Sequence, residues 1–370
     1  MSILFTLIST IQQTLFPVLE KELAAPLGEK GELFVTVVEL ARPDQFSQRF
    51  EWQGMGCPRK WRLPILLSFI AKAVWNFPTT RALLDRLAHD PTLRRLCGWE
   101  RACEIASEST FSRAFAEFAR SELAQVIHAG LIKEQLGEKL VGHVSRDATA
   151  IEAREKSAKK PEQKQAKKPK RPRCKMGRPK KGEAPAPADP TRLELQGGRM
   201  LEENLKDLPR ACDFGSKHDS KGRQSCWRGY KLHWDTADGD IPISALLTSA
   251  SLHDSQAAIP LAQMTLGRVT NCYDVMDSAY DAASIHGFSR RLGHVPVIEP
   301  QARGGKEPRQ MEPAKRVRFA ERTAAERVNS DPKDNHGGRT VRVRGSVKVL
   351  CHLMWGVLVV TVKGLVRLLE

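Results

Sequence analysis

The chain has 370 residues, 41 % of them hydrophobic, and a formal charge of +16. That length suggests two or three domains with a real core, the composition is that of ordinary soluble proteins, and the charge points to a polyanionic partner or surface. Eight cysteines without one C-x-x-C pair exclude zinc-finger spacing and read as reduced thiols in a cytoplasmic protein.

Residues 1–135 read as helical. The opening stretch "MSILFTLISTIQQTLFPVLE" lacks the basic n-region of a signal peptide and is expected to form a helix. "RKWRLPILLSFIAKAVWNF" and "TTRALLDRLAHDPTLRRLCGW" carry apolar residues at helical spacing. Phe111, Phe115 and Phe118 form a buried stripe on a further helix, with Ser109 or Thr110 as its cap. Two readings stay open: a helix-turn-helix DNA reader, or a bundle that shapes or dimerises the protein.

"LVGHVSRD" (140–147) is expected to be a strand ending on Asp147. The stretch 154–210 then changes character. From Arg154 to Lys181 there are 14 Lys or Arg and 2 Glu, a local charge of +12, while the rest of the chain carries only +4. It is rich in Lys, Pro and Ala and poor in large apolar groups, so it cannot offset its ordering entropy. A disordered basic arm is predicted. Within it, "GRPKKG" places Arg178, Lys180 and Lys181 in a short resemblance to the Gly-Arg-Pro core of an AT-hook, which lays Arg in a narrow A·T minor groove. A nonspecific polybasic tether explains the same residues.

From 211 onward order returns. "WRGYKLHWDTADGDIPISALLT" reads as two strands around an Asp238-Gly239 turn, with Tyr230, Leu232 and Trp234 on one face and Ile241 and Ile243 in the return strand. A helix follows, with Asp254 or Ser255 expected as its cap and His253 packed beside it; a catalytic helper is the other reading of His253 and Asp254. "NCYDVM" is a strand, "AYDAASIHGFSRRLG" a helix, "VPVIEP" a strand and "RFAERTAAERVN" a helix. "VLCHLMWGVLVVTV" is too short to span a bilayer and reads as a buried core helix. Three strands followed by α/β alternation suggest a mixed α/β sheet with helices packed on it, interrupted by the arm.

Three carboxylates fall at informative places: Asp147 and Asp277 at strand ends, Glu326 on a late helix. Strand carboxyl ends are where such sheets bind ligands, and hard divalent cations take oxygen ligands. Any one of these acids is as well explained by a turn or a helix cap. Within "DVMDSAYD" (274–281), Asp277 is expected to face metal, Asp281 to start the next helix, and Asp274, on the opposite face, to make a solvent or loop contact.

Phe319, Arg322, Glu326 and Lys333 form aromatic-x2-R-x3-E-x6-K. This row resembles the Y-x2-R-x3-E-x6-K signature of the DDE transposases of bacterial insertion sequences. "RDATAIEARE" resembles that group's first-Asp segment and "DSAYD" its second, and the similarity runs in order from about residue 50 to 355. The resemblance implies an RNase H-like mixed sheet flanked by helices. An all-α domain (1–135) precedes it, its first strand lies in 136–153, a basic insertion occupies 154–210, and the remainder is 211–370.

The resemblance also implies that Asp147, Asp277 and Glu326 hold two Mg²⁺ ions, with Mn²⁺ able to substitute. DNA cleavage at element ends and strand transfer would follow. Arg322 and Lys333 would contact phosphates and Tyr280 would position DNA. The expected partners are double-stranded DNA, both terminal inverted repeats and target, and a second copy of the chain on that DNA, with no membrane partner; the expected location is the cytoplasm, at the nucleoid. Positions 319, 322 and 326 share one helix face, and a salt-bridge ladder among Glu321, Arg322, Glu326 and Arg327 accounts for the same spacing. Phe319 replaces the family's Tyr, and Pro332 is expected to loosen the helix at Lys333. The alternative function is a catalytically inactive or domesticated transposase that binds DNA.

Overall fold

A computed structural model describes residues 27–51, 54, 60–157, 189–218, 222–301 and 310–369. The expected N-terminal helix over 1–20 and the arm residues Arg178, Lys180 and Lys181 lie outside these.

Apolar alternation in 224–249 builds the middle of a six-stranded sheet. β3 (Gln224–Ala237) and β4 (Ile241–Ser249) form the expected hairpin. Gly239 (φ 78°) and Asp240 (φ 62°) supply the left-handed turn. Tyr230, Leu232, Trp234, Ile241 and Ile243 are all buried, as their alternation predicts. β1 (Leu140–Glu152) pairs antiparallel with β3 and parallel with β5 (Thr270–Met276), which pairs parallel with β6 (Val295–Ile298). β2 (Asp213–His218) pairs with the first half of β3, so the strand order is β2-β3-β1-β5-β6, with β4 also on β3. This mixed sheet with flanking helices is the α/β, RNase H-like architecture expected from the sequence. At Gly229 (φ 156°), β3 passes beneath Ile151, and a Cβ there would collide with the Ile151 carbonyl oxygen.

Two strand details differ from expectation. β1 continues five residues past Asp147, because Ala148 to Glu152 keep pairing with 229–233 of β3. β2 was not anticipated; its alternation is too short and too polar to register.

The N-terminal helices α1 (Gly28–Ala41), α2 (Pro43–Ser47), α3 (Arg62–Val74), α4 (Thr80–His89), α5 (Pro91–Leu96), α6 (Glu108–Arg120) and α7 (Leu123–Leu136) agree with the helical reading of this part, α3 to α6 falling on the stretches of apolar periodicity. Phe111, Phe115 and Phe118 are buried, with Phe69 against all three. The cap of α6 is Ser107, whose hydroxyl accepts from the Thr110 N–H, and not Ser109 or Thr110.

The stretch predicted to be disordered folds where it is described. α8 (Arg192–Gln196) and α9 (Leu201–Asp207) dock on α10 (Ser255–Leu266). Arg192 reaches Asp207 and Gln256, Gln196 donates to the Gln256 carbonyl, and Asn204 donates to Gln263. Leu193, Leu205 and Leu208 add apolar contacts to these polar bonds, enough burial to order a stretch whose overall composition suggested disorder. Asp254 heads α10 without a side-chain cap; His253 is exposed and its Nδ1 meets the Ser255 hydroxyl at 2.8 Å, so neither the cap nor the packed histidine holds as expected.

The last helix, α14 (Ser346–Leu369), is longer than the apolar run suggested. By length and apolarity it could cross a bilayer, but 78 % of its most apolar window is buried within the protein. It packs on β4 and on α1, α3, α6 and α7, so one continuous apolar core joins the helical part to the sheet.

Candidate metal and DNA site

Strand register brings two of the three acids together. In the parallel β1–β5 pair Arg146 lies beside Met276, so the next residues, Asp147 and Asp277, leave adjacent strands at one level. Asp147 sits where β5 ends, although its own strand continues. Its Oδ1 accepts from the Ala148 N–H at 2.8 Å and its Oδ2 from Asn329 Nδ2 at 2.7 Å. Asp277 opens a short 3-10 turn, Ser278–Tyr280, and accepts from the Ala279 N–H at 3.0 Å.

Both carboxyls are held above their ordinary range. Burial is the main cause for each, and the charge of Asp147 adds to it at Asp277. A pair of half-buried, mutually repelling carboxylates is a donor set that suits a hard divalent cation, which would remove the repulsion.

Glu326 belongs to α13 (Thr323–Asn335) and is half exposed. Among the described residues, Arg322 links it to the pair. That guanidinium lies 3.2 Å from Glu326 and 3.9 Å from Asp277, and Phe319 sits under it, its ring centroid 5.9 Å away. Among the described residues, no three His, Cys, Asp or Glu side chains are close enough to share a metal. The salt-bridge ladder is realised only in part: Arg322 pairs with Glu326, while Arg327 turns to Asp240 at 2.8 Å.

The expected single helix over 318–329 is a near-continuous rod of three pieces: α12 (Pro313–Phe319), a 3-10 turn at Ala320–Arg322, and α13. Ser145 fixes its docking on β1 by donating to the Glu321 carbonyl at 3.2 Å. Pro332 does not break α13, which runs on to Asn335. The proline lies in the last turn, and its carbonyl and that of Lys333 are taken up by the Gly338 and Arg339 N–H groups. Lys333 therefore keeps its helical place. Burial lowers its pKa, with Arg339 and Lys217 adding repulsion against the opposing charges of Asp334 and Glu152, and Arg339 is itself paired with Asp334. Lys217, on the unforeseen β2, carried no signal in the sequence.

Three expectations are corrected. Tyr280 is buried among Ala258, Met276, Ile285 and Ile298, with a hydroxyl that finds no hydrogen-bond partner among the described residues, so it offers no surface to DNA. Asp281 precedes α11 (Ala283–Arg291) instead of lying in its first turn; it accepts from His286 and the Gln301 N–H, and so ties two loops. Asp274 meets no solvent. It is 3 % exposed, bonded to Asn271 at 3.0 Å and to His294 at 3.2 Å. Burial opposes its ionisation, but His294, Arg146 and Ser289 outweigh that and hold its pKa down. Alternation does put Asp274 opposite Asp277, but that second face is closed: Ser289 of α11 and His294 just after it meet the carboxylate.

Missed altogether was Asn329, which bonds Asp147. Its only trace in the sequence is its position one turn after Glu326.

The family model of the transposase DDE domain matches residues 188–362. No curated protein and no solved structure matches the chain. Proteins of this family generally work with divalent metal ions and on DNA. Over residues 188–362, a little under half of its length, the chain is similar to the DDE domain of transposases, which supports the resemblance read from the sequence.

Proposed function

We propose that this chain cleaves DNA at insertion-sequence ends and joins the freed ends to target DNA, with Asp147, Asp277 and Glu326 as its metal-binding acids. The observation that carries the reading is the side-by-side placement of Asp147 and Asp277, both with raised pKa, at the end of the parallel strand pair. Bound Mg²⁺, in two sites and replaceable by Mn²⁺, supplies Lewis-acid polarisation of the phosphodiester and of the attacking oxygen. In cleavage, water adds to phosphorus and the 3′ oxygen leaves as a hydroxyl after taking up a proton. In transfer, that 3′-OH forms the new O–P bond, gives up its proton, and a target 3′ oxygen leaves.

The chain's own groups set the geometry. Ala148 and Asn329 fix the Asp147 carboxylate, and the Ala279 N–H fixes Asp277. Arg322, pairing two acids, has the planar fork to hold a phosphate once Glu326 turns to metal. Lys333 with Lys217 and Arg339 suits the DNA backbone beside the site. The basic arm, with Arg178, Lys180 and Lys181, adds sequence-independent affinity. The protein would work in the cytoplasm, as a homodimer that holds two element ends.

A second reading, a DNA-binding protein without catalysis, draws on Glu326 being tied to Arg322 and standing apart from the paired acids. Incubation of the protein with a labelled end duplex, supercoiled target and Mg²⁺ separates the two. Labelled end joined to target supports the transposase; duplex bound but uncut at every metal concentration supports the second reading.

A further inference from the structure

The β1–β3 register sets Asp147 directly across from Trp234, so carboxylate and indole leave the same face of the sheet as neighbours. α13 covers that face, and from it Asn329 reaches both. The Trp234 Nε1–H donates to Asn329 Oδ1 at 2.8 Å, and Asn329 Nδ2 donates to Asp147 Oδ2 at 2.7 Å. An indole N–H can only donate and an ionised carboxylate can only accept, so the amide has one orientation that satisfies both. Trp234 is fully buried, which denies its N–H a water and pins the amide in place. With Ala148 N–H on the other oxygen, both Asp147 oxygens are held.

We propose that Asn329 is a positioning residue. It presents the Asp147 carboxylate to the divalent cation and locks the acid of β1 to the helix that carries Glu326, one turn away. The proposal rests on Asp147 and Glu326 being metal-binding acids. Hydrogen-bond partners behind metal-binding carboxylates orient them, and losing one costs about 10- to 100-fold in metal affinity or activity.

The test is cleavage of an end duplex as a function of Mg²⁺ concentration. Asn329→Ala should raise the half-saturating Mg²⁺ about 10- to 100-fold, with the rate recovering toward that of the parent at saturating metal. Asn329→Asp keeps the size and the acceptor for Trp234 but turns the donor into a repelling charge, so its metal requirement should be at least as high. Trp234→Phe should move the requirement in the same direction by less, and should add little in the Asn329→Ala background. If Asn329→Ala does not fold, Trp234→Phe and Asn329→Asp carry the test. A parent-like Mg²⁺ response in folded variants, with Asp147→Asn inactive, overturns the role of Asn329 and leaves the metal site standing. Full cleavage by Asp147→Asn overturns both.

Discussion

The Arg322 guanidinium stands 3.2 Å from the Glu326 carboxylate, one helical turn away, and fills the approach from Glu326 to Asp277. The pair is partly exposed and of i,i+4 type, worth about 0.3–0.5 kcal/mol. Glu326→Gln, which removes the charge and keeps shape and helix propensity, should therefore melt within a degree or two of the parent. It should bind end DNA normally and fail to nick it. Arg322→Ala should retain the fold and cleave more slowly. A Glu326→Gln protein that nicks at the parent rate would remove Glu326 from the site.

Asp147 and Asp277 should cost the metal-free fold stability. Their raised pKa values mean that the folded state holds the proton more tightly than the unfolded chain does. Stability is therefore lost as pH rises from the ordinary value of 3.8 through the higher folded values. Asp277→Asn should be more stable than the parent at neutral pH by about 0.5–2 kcal/mol. That advantage should shrink as pH falls through this window, and Mg²⁺ should stabilise the parent but not the variant. Denaturant unfolding at several pH values reads all three.

Asp274 serves the fold. It is buried and held by His294 and Asn271, with Arg146 nearby, itself in a 2.7 Å buried pair with Asp235. Asp274→Ala leaves the buried Asn271 and His294 donors without their acceptor, while Arg146 keeps Asp235, and should cost about 1–3 kcal/mol. Circular dichroism melts should show the loss, and residual cleavage should scale with the folded fraction.

Cations at the end of α13 and in the arm should act on affinity alone. Lys333→Ala should weaken binding evenly across DNA sequences and lower the salt slope by about 1. Deleting 154–181 should lower it much further, since that stretch carries a charge of +12. Filter binding over a salt series measures both, and an unchanged slope after the deletion would place the DNA elsewhere.

Legibility followed period. The β3–β4 hairpin, the Phe111–Phe118 stripe and the α10–β6 alternation could be read because their apolar residues repeat at 2 or 3.6. Asp147 and Asp277 stood out because each follows such a run. Pairing was hidden. That β1 outlasts Asp147, that α8 and α9 dock on α10, and that Asn329 reaches Asp147 all depend on contacts made far along the chain. Tyr280 was misjudged for a related reason: a tyrosine three residues after an acid looks the same whether its ring faces DNA or the Ile285 core.

The claim that matters most is that Asp147 and Asp277 together hold the metal that cleaves DNA. Counting 3′-OH ends released from a labelled end duplex in Mg²⁺ tests it directly, with Asp147→Asn and Asp277→Asn each measured at matched DNA occupancy. The account predicts metal-dependent release by the parent and none by either variant. Equal release from the parent and from either folded variant would contradict it.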